Sequence, residues 1–534
     1  MPIINQPKIL LDNFSIFAIF YSTALWLEMA ENWDTPWATA TGLILLLTIA
    51  FTKVNRAKLS LFIILNTAYS LYFHFPEVAN HVNLIIFANL AILITIAYSY
   101  LRPAQFTQSD DLYRAIASPL RISLIAVYFW AGFHKLNTAF LDPQFSCSNS
   151  MFLGVIEVLK STVFGIPVAF LLGAIAIIFT SKVIPMRAIN LAQQNSKWLL
   201  IILAFCLTVT GAAIGILFYL DLTGSLFPAF VLATSIMVLL WELVGGMMMF
   251  IPKLQVIIFF WSMLMHLVLA PIGFVDFGSL AFAFWLTFIP RNYVECLRQP
   301  MKIPLLRWQI NPSFVYLFIN IIVGLISGVY YLAYPEFNIK AIAGILFIIS
   351  ALTIIYPLVK KLVDDPNSWQ GVEVIDSKMP KFMYLFIILL SIYATTSYLG
   401  LRTAGNFSMF SNLRTEGATS NHLLLGNNPL KLWNYQEDVV KILEIDDESA
   451  KIGHKYRPLQ DHFLPAVEFK KLVYKWTKAG YTVPLKYEYG DRVYSTNNVV
   501  NDPLWLTSRL NWEMRLMDFR IIQPDNGEPN YCRW

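Results

Sequence analysis

The chain has 534 residues; 57% are hydrophobic, 15% aromatic and only 14% charged. Soluble domains carry charge on about a quarter of their residues, so this composition excludes a soluble globular protein and points to a polytopic membrane protein. The formal net charge of +5 is spread thinly over short segments, and reads as membrane topology rather than nucleic-acid binding.

Residues Met1 to Lys8 lack a basic stretch leading at once into a cleavable apolar core, so the first apolar helix is expected to stay as an anchor. A spanning helix needs about 20 mostly apolar residues. Thirteen stretches qualify, near 11–31, 38–53, 59–75, 82–101, 116–137, 163–180, 197–220, 226–250, 254–271, 277–290, 313–334, 341–359 and 381–401. The second, third and tenth are short, so the expected count is 12–13. Basic residues follow alternate stretches: Lys53, Arg56 and Lys58, then Arg102 and Arg114, Lys182 and Arg187, Lys253, Arg291 and Arg298, and Lys360 and Lys361. The loops between are nearly free of them. Cytoplasmic loops are the lysine- and arginine-rich ones. The N-terminus is therefore expected in the cytoplasm and the C-terminal region outside it, in a multi-pass protein of a bacterial plasma membrane. Lys135 then falls at the outer end of the fifth helix, His266 in the outer half of the ninth, and Glu242 in the inner half of the eighth.

Beyond Leu401 charge, Asn, Pro and Gly rise and no apolar run is long enough to span. His422–Leu425, Val439–Ile445 and Val483–Tyr489 read as strands. Pro465–Ala479 reads as an amphipathic helix with Val467, Leu472, Val473 and Trp476 on its apolar face. Met151–Lys160 reads as a short amphipathic helix at the outer surface. The expected architecture is an all-α membrane helix bundle followed by a small α+β extracytosolic domain. Its divisions are 1–310, a further set of transmembrane helices at 311–401, and the outer domain at 402–534.

Within the fifth stretch Arg121, Tyr128 and Lys135 recur at intervals of seven, with Gly132 between the last two. At about 3.6 residues per turn these share one helix face. A polar stripe in hydrocarbon is expected to face the bundle, and Gly132 admits a neighbouring helix or a ligand close to the backbone. Lys135 has two readings: an interfacial lysine at a helix end, or a desolvated amine that takes a proton from a weak acid such as a hydroquinone. His266 is either a packing histidine or a functional partner of Lys135 at matching depth. Glu242 is expected to pair with a basic or hydroxyl group as a structural element. Met409–His422, dense in polar groups, reads either as an ordinary linker and first strand or as a cap on the bundle. No P-loop, GxGxxG, HExxH or GxSxG occurs. Cys147, Cys206, Cys296 and Cys532 form no CxxC pair, and no metal is expected.

The run Tyr128-Phe-Trp-Ala-Gly-Phe-His-Lys-Leu-Asn137 resembles the vitamin K-dependent gamma-carboxylases, within the wider HTTM (horizontally transferred transmembrane domain) family. The carriers are the aromatic pair, Ala131-Gly132, Lys135-Leu136 and Asn137, followed by the Met151–Lys160 helix. His266 with Ile272-Gly273 and an aromatic is similar to a later family pattern. The resemblance covers about residues 10–300. It implies Lys135 and His266 as catalytic residues, Tyr128, Gly132, His134 and Asn137 at the substrate, and a reduced vitamin K-type naphthoquinone as cofactor. It further implies carboxylase (lyase-like) or quinol-oxygenase activity, with an exported peptide or protein as partner. His134 departs from the family, whose animal members commonly carry a lysine there. The alternative is a non-enzymatic membrane protein for transport, export or maturation of a partner peptide.

Overall fold

The computed structural model describes residues 12–31, 35–75, 78–161, 226–302, 309–333, 339–365, 368–416, 420–426, 430–445, 459–523 and 532. The expected spans at 163–180 and 197–220 lie outside these. The first helices are α1 (Asn13–Glu31), α2 (Pro36–Phe51), α3 (Arg56–Phe73), α4 (Asn80–Leu101) and α5 (Ser109–His134). Short α6 (Thr138–Leu141) and α7 (Cys147–Ser161) follow. Next is α8 (Leu226–Leu240), which continues through a π-helical turn, Trp241–Gly245, into α9 (Gly246–Met248). Then come α10 (Gln255–Leu269), α11 (Val275–Leu286), α12 (Arg291–Arg298), the two-residue strands β1 (Met301–Lys302) and β2 (Gln309–Ile310), α13 (Pro312–Ala333), α14 (Ile339–Asp364) and α15 (Met383–Ala394).

Among the described residues five helical segments are long and apolar enough to cross a membrane: Asn80–Leu101, Ser109–His134, Val231–Met248, Gln255–Ile272 and Ala341–Asp364. Pro36–Phe51, Val275–Leu286, Pro312–Gly328 and Met383–Ser397 are shorter apolar helices. The helices start where side chains satisfy their free amides: Asn55 accepts from Lys58 N, and Gln108 with Asp111 forms a capping box on α5. Helix α5 is central, packing against α1, α4, α15 and the π-turn.

Apolar side chains alone give helices in lipid little reason to associate, so buried polar links matter. One such chain crosses three helices. Tyr21 Oη donates to Asn89 Oδ1 (2.7 Å), Asn89 Nδ2 to Asn66 Oδ1 (2.9 Å), and Asn66 Nδ2 to Glu28 Oε2 (2.7 Å). His74 Nε2 closes it at 2.9 Å from Glu28 Oε1. Arg121 is a second link: its guanidinium donates to Thr287 O (2.7 Å) and Glu373 O (2.8 Å). It is a clamp between segments rather than an isolated charge.

The C-terminal domain is a four-stranded antiparallel sheet of β3 (Val439–Ile445), β4 (Phe463–Pro465), β5 (Leu485–Tyr489) and β6 (Arg492–Thr496), in the order β4-β3-β5-β6. Helix α16 (Ala466–Ala479) covers it, and a short α17 (Trp512–Leu516) follows. The expected strands at 439–445 and 483–489 are present, the latter starting at Leu485. His422–Leu425 is a turn instead, with an isolated bridge between His422 and Asn137. Its strand-like apolar run is overridden because His422 Nδ1 accepts from the amides of Leu424 (3.2 Å) and Leu425 (3.3 Å). On α16 the core face comprises Phe469, Leu472, Val473 and Trp476, while Val467 is only half-buried.

Among the ties that hold this domain to the bundle, two span long stretches of chain. Residues 517–523 run back beside 402–411, with Thr403 N and Ala404 N donating to Asp518 O at 3.0 and 3.1 Å. Cys147, at the start of α7, forms a disulfide with Cys532. Its two cysteines are 385 residues apart, which is why the spacing of cysteines did not announce it. Cys147→Ser should lower stability by about 2–5 kcal/mol. Maleimide should label Cys147 and Cys532 in the wild type only after reduction; equal labelling without reductant contradicts the pairing.

Candidate functional site

Arg121, Tyr128 and Lys135 are all buried, so the stripe faces the bundle. Lys135 is the C-cap residue of α5, beyond its last helical turn. Its ammonium lies 2.7 Å from Glu242 Oε2, donates to Glu242 Oε1 at 3.0 Å, and sits over the Phe140 ring. Both side chains are nearly shut off from solvent. The pairing expected for Glu242 is present, but its expected depth, half a membrane away from Lys135, is wrong. Depth was counted from the ends of the 226–250 stretch. In the fold α8 packs against α6 and α7, past the end of α5, and Glu242 lies level with Lys135.

Local backbone makes the pair possible. A π-turn adds a residue to the helical turn, and such turns occur frequently at functional sites. Here it presents Glu242 to α5. Gly132 lets the turn approach, since a Cβ there would lie 2.9 Å from Glu242 Cβ and from Leu243 N. Gly246 does the same from the other side, where a Cβ would meet Tyr128 Cβ at 3.2 Å. Of the two expectations for Gly132, close approach of a helix is the one observed.

Tyr128 and His266 form a second buried pair, Oη to Nε2 at 2.7 Å. Phe277 meets the His266 ring edge-on at 5.0 Å, and Trp285 meets Tyr128 at 5.8 Å. His266 Nδ1 is buried with no hydrogen-bond partner among the described residues. Tyr128, Lys135 and His266 therefore join through two separate pairs on one helix face, two turns apart.

The remaining candidates belong to the end of α5. His134 Nδ1 is 2.7 Å from Tyr398 Oη. Asn137 caps α6 by accepting from Phe140 N (2.8 Å), and donates to His134 O and Ser411 O. Residues 402–413 are almost wholly buried here, and Phe407, Phe410 and Asn412 adopt positive φ. That conformation is unusual for side-chain-bearing residues and persists only when contacts over-determine it. Those contacts exist: Asn412 accepts from Cys147 N (2.7 Å) and donates to Phe145 O (2.9 Å), and Arg520 donates to Ser408 O (2.9 Å). Residues 409–416 and 420–422 thus form a cap on the end of α5, not a simple linker. His422 Nε2 donates to Phe133 O at 2.9 Å, and its Nδ1 accepts, as described above, so its imidazole serves as a neutral ring. Burial holds it below its usual range despite the bond to Phe133.

Compared with known proteins, the chain matches no family model, no curated protein and no solved structure.

Removing one partner of a buried ion pair leaves an uncompensated charge and costs about 3–5 kcal/mol, whereas replacing both by apolar groups is often neutral. Glu242→Leu and Lys135→Met should each destabilise the protein strongly, and the double variant much less than their sum. Thermal unfolding in detergent checks this; additive losses contradict the pair.

Proposed function

We propose that this chain is a membrane enzyme of the HTTM type, similar to the vitamin K-dependent gamma-carboxylases, that takes a proton from a lipid-soluble quinol. The observation that carries the reading is the Lys135–Glu242 ion pair, buried within the helix bundle. Intramembrane ionisable residues are costly and usually functional. Here the cost is borne beside a Tyr128–His266 pair on the same face of α5.

The pair changes the role expected of Lys135. An ammonium bonded to a carboxylate is not a free amine base. Glu242 is the group that can accept a proton: the quinol O–H bond breaks, the proton goes to the Glu242 carboxylate, and the Lys135 ammonium loses its counter-ion. Lys135 is then the charge that stabilises the quinolate oxygen. The site is neutral before the transfer and neutral after it, so no net charge is created in a low-dielectric interior. The residues present suit a quinol. The rings of Phe277 and Trp285 pack against the Tyr128–His266 pair, whose unpartnered His266 Nδ1 offers a polar contact for a hydroxyl. A quinol supplies electrons for reduction of oxygen, and an exported peptide is the partner that the family resemblance adds.

The Cys147–Cys532 disulfide supports placing the Lys135 end of α5 and the C-terminal domain outside the cytoplasm, since disulfides persist in oxidising compartments. The alternation of basic loops supports the same orientation.

Purified protein given a reduced naphthoquinone should consume oxygen. Lys135→Ala and Glu242→Gln should slow uptake by about 10²–10⁴-fold, the range for loss of acid–base groups. Absence of uptake across several quinols by folded wild-type protein would sink this reading.

A further inference from the structure

At the capped end of the bundle three helices bring together the C-terminal residue of α1, Glu31, the second residue of α4, His81, and the second residue of α11, Asp276. One ligand-type atom from each lies within 4.8 Å of the others. His81 Nε2 is 2.6 Å from Asp276 Oδ2, and Asp276 is more than nine-tenths buried while Glu31 is exposed. We propose that Glu31, His81 and Asp276 form a binding site for one divalent transition-metal ion, of the Zn²⁺ or Mn²⁺ class.

Three observations support it. First, the residues come from three separate helices, so the ligands are fixed by tertiary packing rather than by a flexible loop. Second, the cluster is overloaded with negative charge: the carboxylates of Asp276, Glu31 and Glu28 all act on His81. Glu28 is buried and already engaged by Asn66 and His74. Adjacent carboxylates repel and call for a proton or a cation between them. Third, one imidazole and two carboxylates suit Zn²⁺, Mn²⁺ or Fe²⁺, whereas Mg²⁺ and Ca²⁺ favour all-oxygen sets. Metal–ligand bonds of about 2.0–2.2 Å require the His81–Asp276 contact to open slightly and the exposed Glu31 to close in. Three protein ligands leave coordination positions open, as in catalytic rather than structural sites. Phe277, next to Asp276, contacts both the His81 ring (6.2 Å) and the His266 ring (5.0 Å). The metal site therefore adjoins the Tyr128–His266 pair, yet it stands independently of the quinol reading. None of its ligands was legible as a site in the sequence, because 50 and 195 residues separate them in the chain.

The test is metal loading of the intact, chelator-stripped protein in detergent with Zn²⁺ or Mn²⁺ alone, followed by desalting, elemental analysis and calorimetric titration. One ion per chain is expected. His81→Gln and Asp276→Asn should weaken binding by more than about tenfold, since losing even a residue that only hydrogen-bonds a metal ligand costs about 10–100-fold. Glu31→Gln, at the exposed rim, keeps the fold testable by circular dichroism and should weaken binding by a smaller factor. A folded wild type that retains no ion overturns the proposal, as does equal retention by all three variants.

Discussion

The Lys135–Glu242 pair is the constraint around which this bundle is arranged. Taking two opposite charges out of water costs several kcal/mol per ion, and their attraction repays this only in close geometry. Close geometry here needs three local features at once. Gly132 removes a side chain from α5, Gly246 removes one beside Tyr128, and the π-turn at Trp241–Gly245 turns Glu242 inward. Together they place a carboxylate and an ammonium within 3.0 Å of each other in the buried interior.

The end of α5 is then built over by segments distant in the chain. Asn137 reaches Ser411, Phe133 accepts from His422, and Cys147 is joined to both Asn412 and Cys532. The small sheet domain is secured to this cap through residues 517–523 rather than through its own sheet. The left-handed residues Phe407, Phe410 and Asn412 fit this picture, since backbone of that kind is kept only where the surroundings dictate it. The domain thus serves in part to hold the cap against α5.

Much of this frame was legible beforehand. Composition announced a helical membrane protein, and the seven-residue spacing of Arg121, Tyr128 and Lys135 announced an inward-facing polar stripe. Strands 439–445 and 485–489 and helix α16 followed from period and turn chemistry. Pairings over long separations were not legible. Hydropathy sets the length of a helix but not its depth, so Glu242 was placed level with the wrong end of α5. No pattern of apolar residues distinguishes a π-turn from ordinary helix. The apolar run at His422–Leu425 looked like a strand because the capping capacity of one histidine is invisible to periodicity. The His81–Asp276 and Cys147–Cys532 pairs depend wholly on tertiary packing.

The most direct measurement of the central claim is infrared difference spectroscopy on the purified protein as a quinol is added. Transfer of a proton to Glu242 should create a carboxylic-acid carbonyl band that shifts in deuterated water and is missing in Glu242→Gln. A spectrum without that band in quinol-bound wild type, or a band that persists in Glu242→Gln, would contradict Glu242 as the proton acceptor.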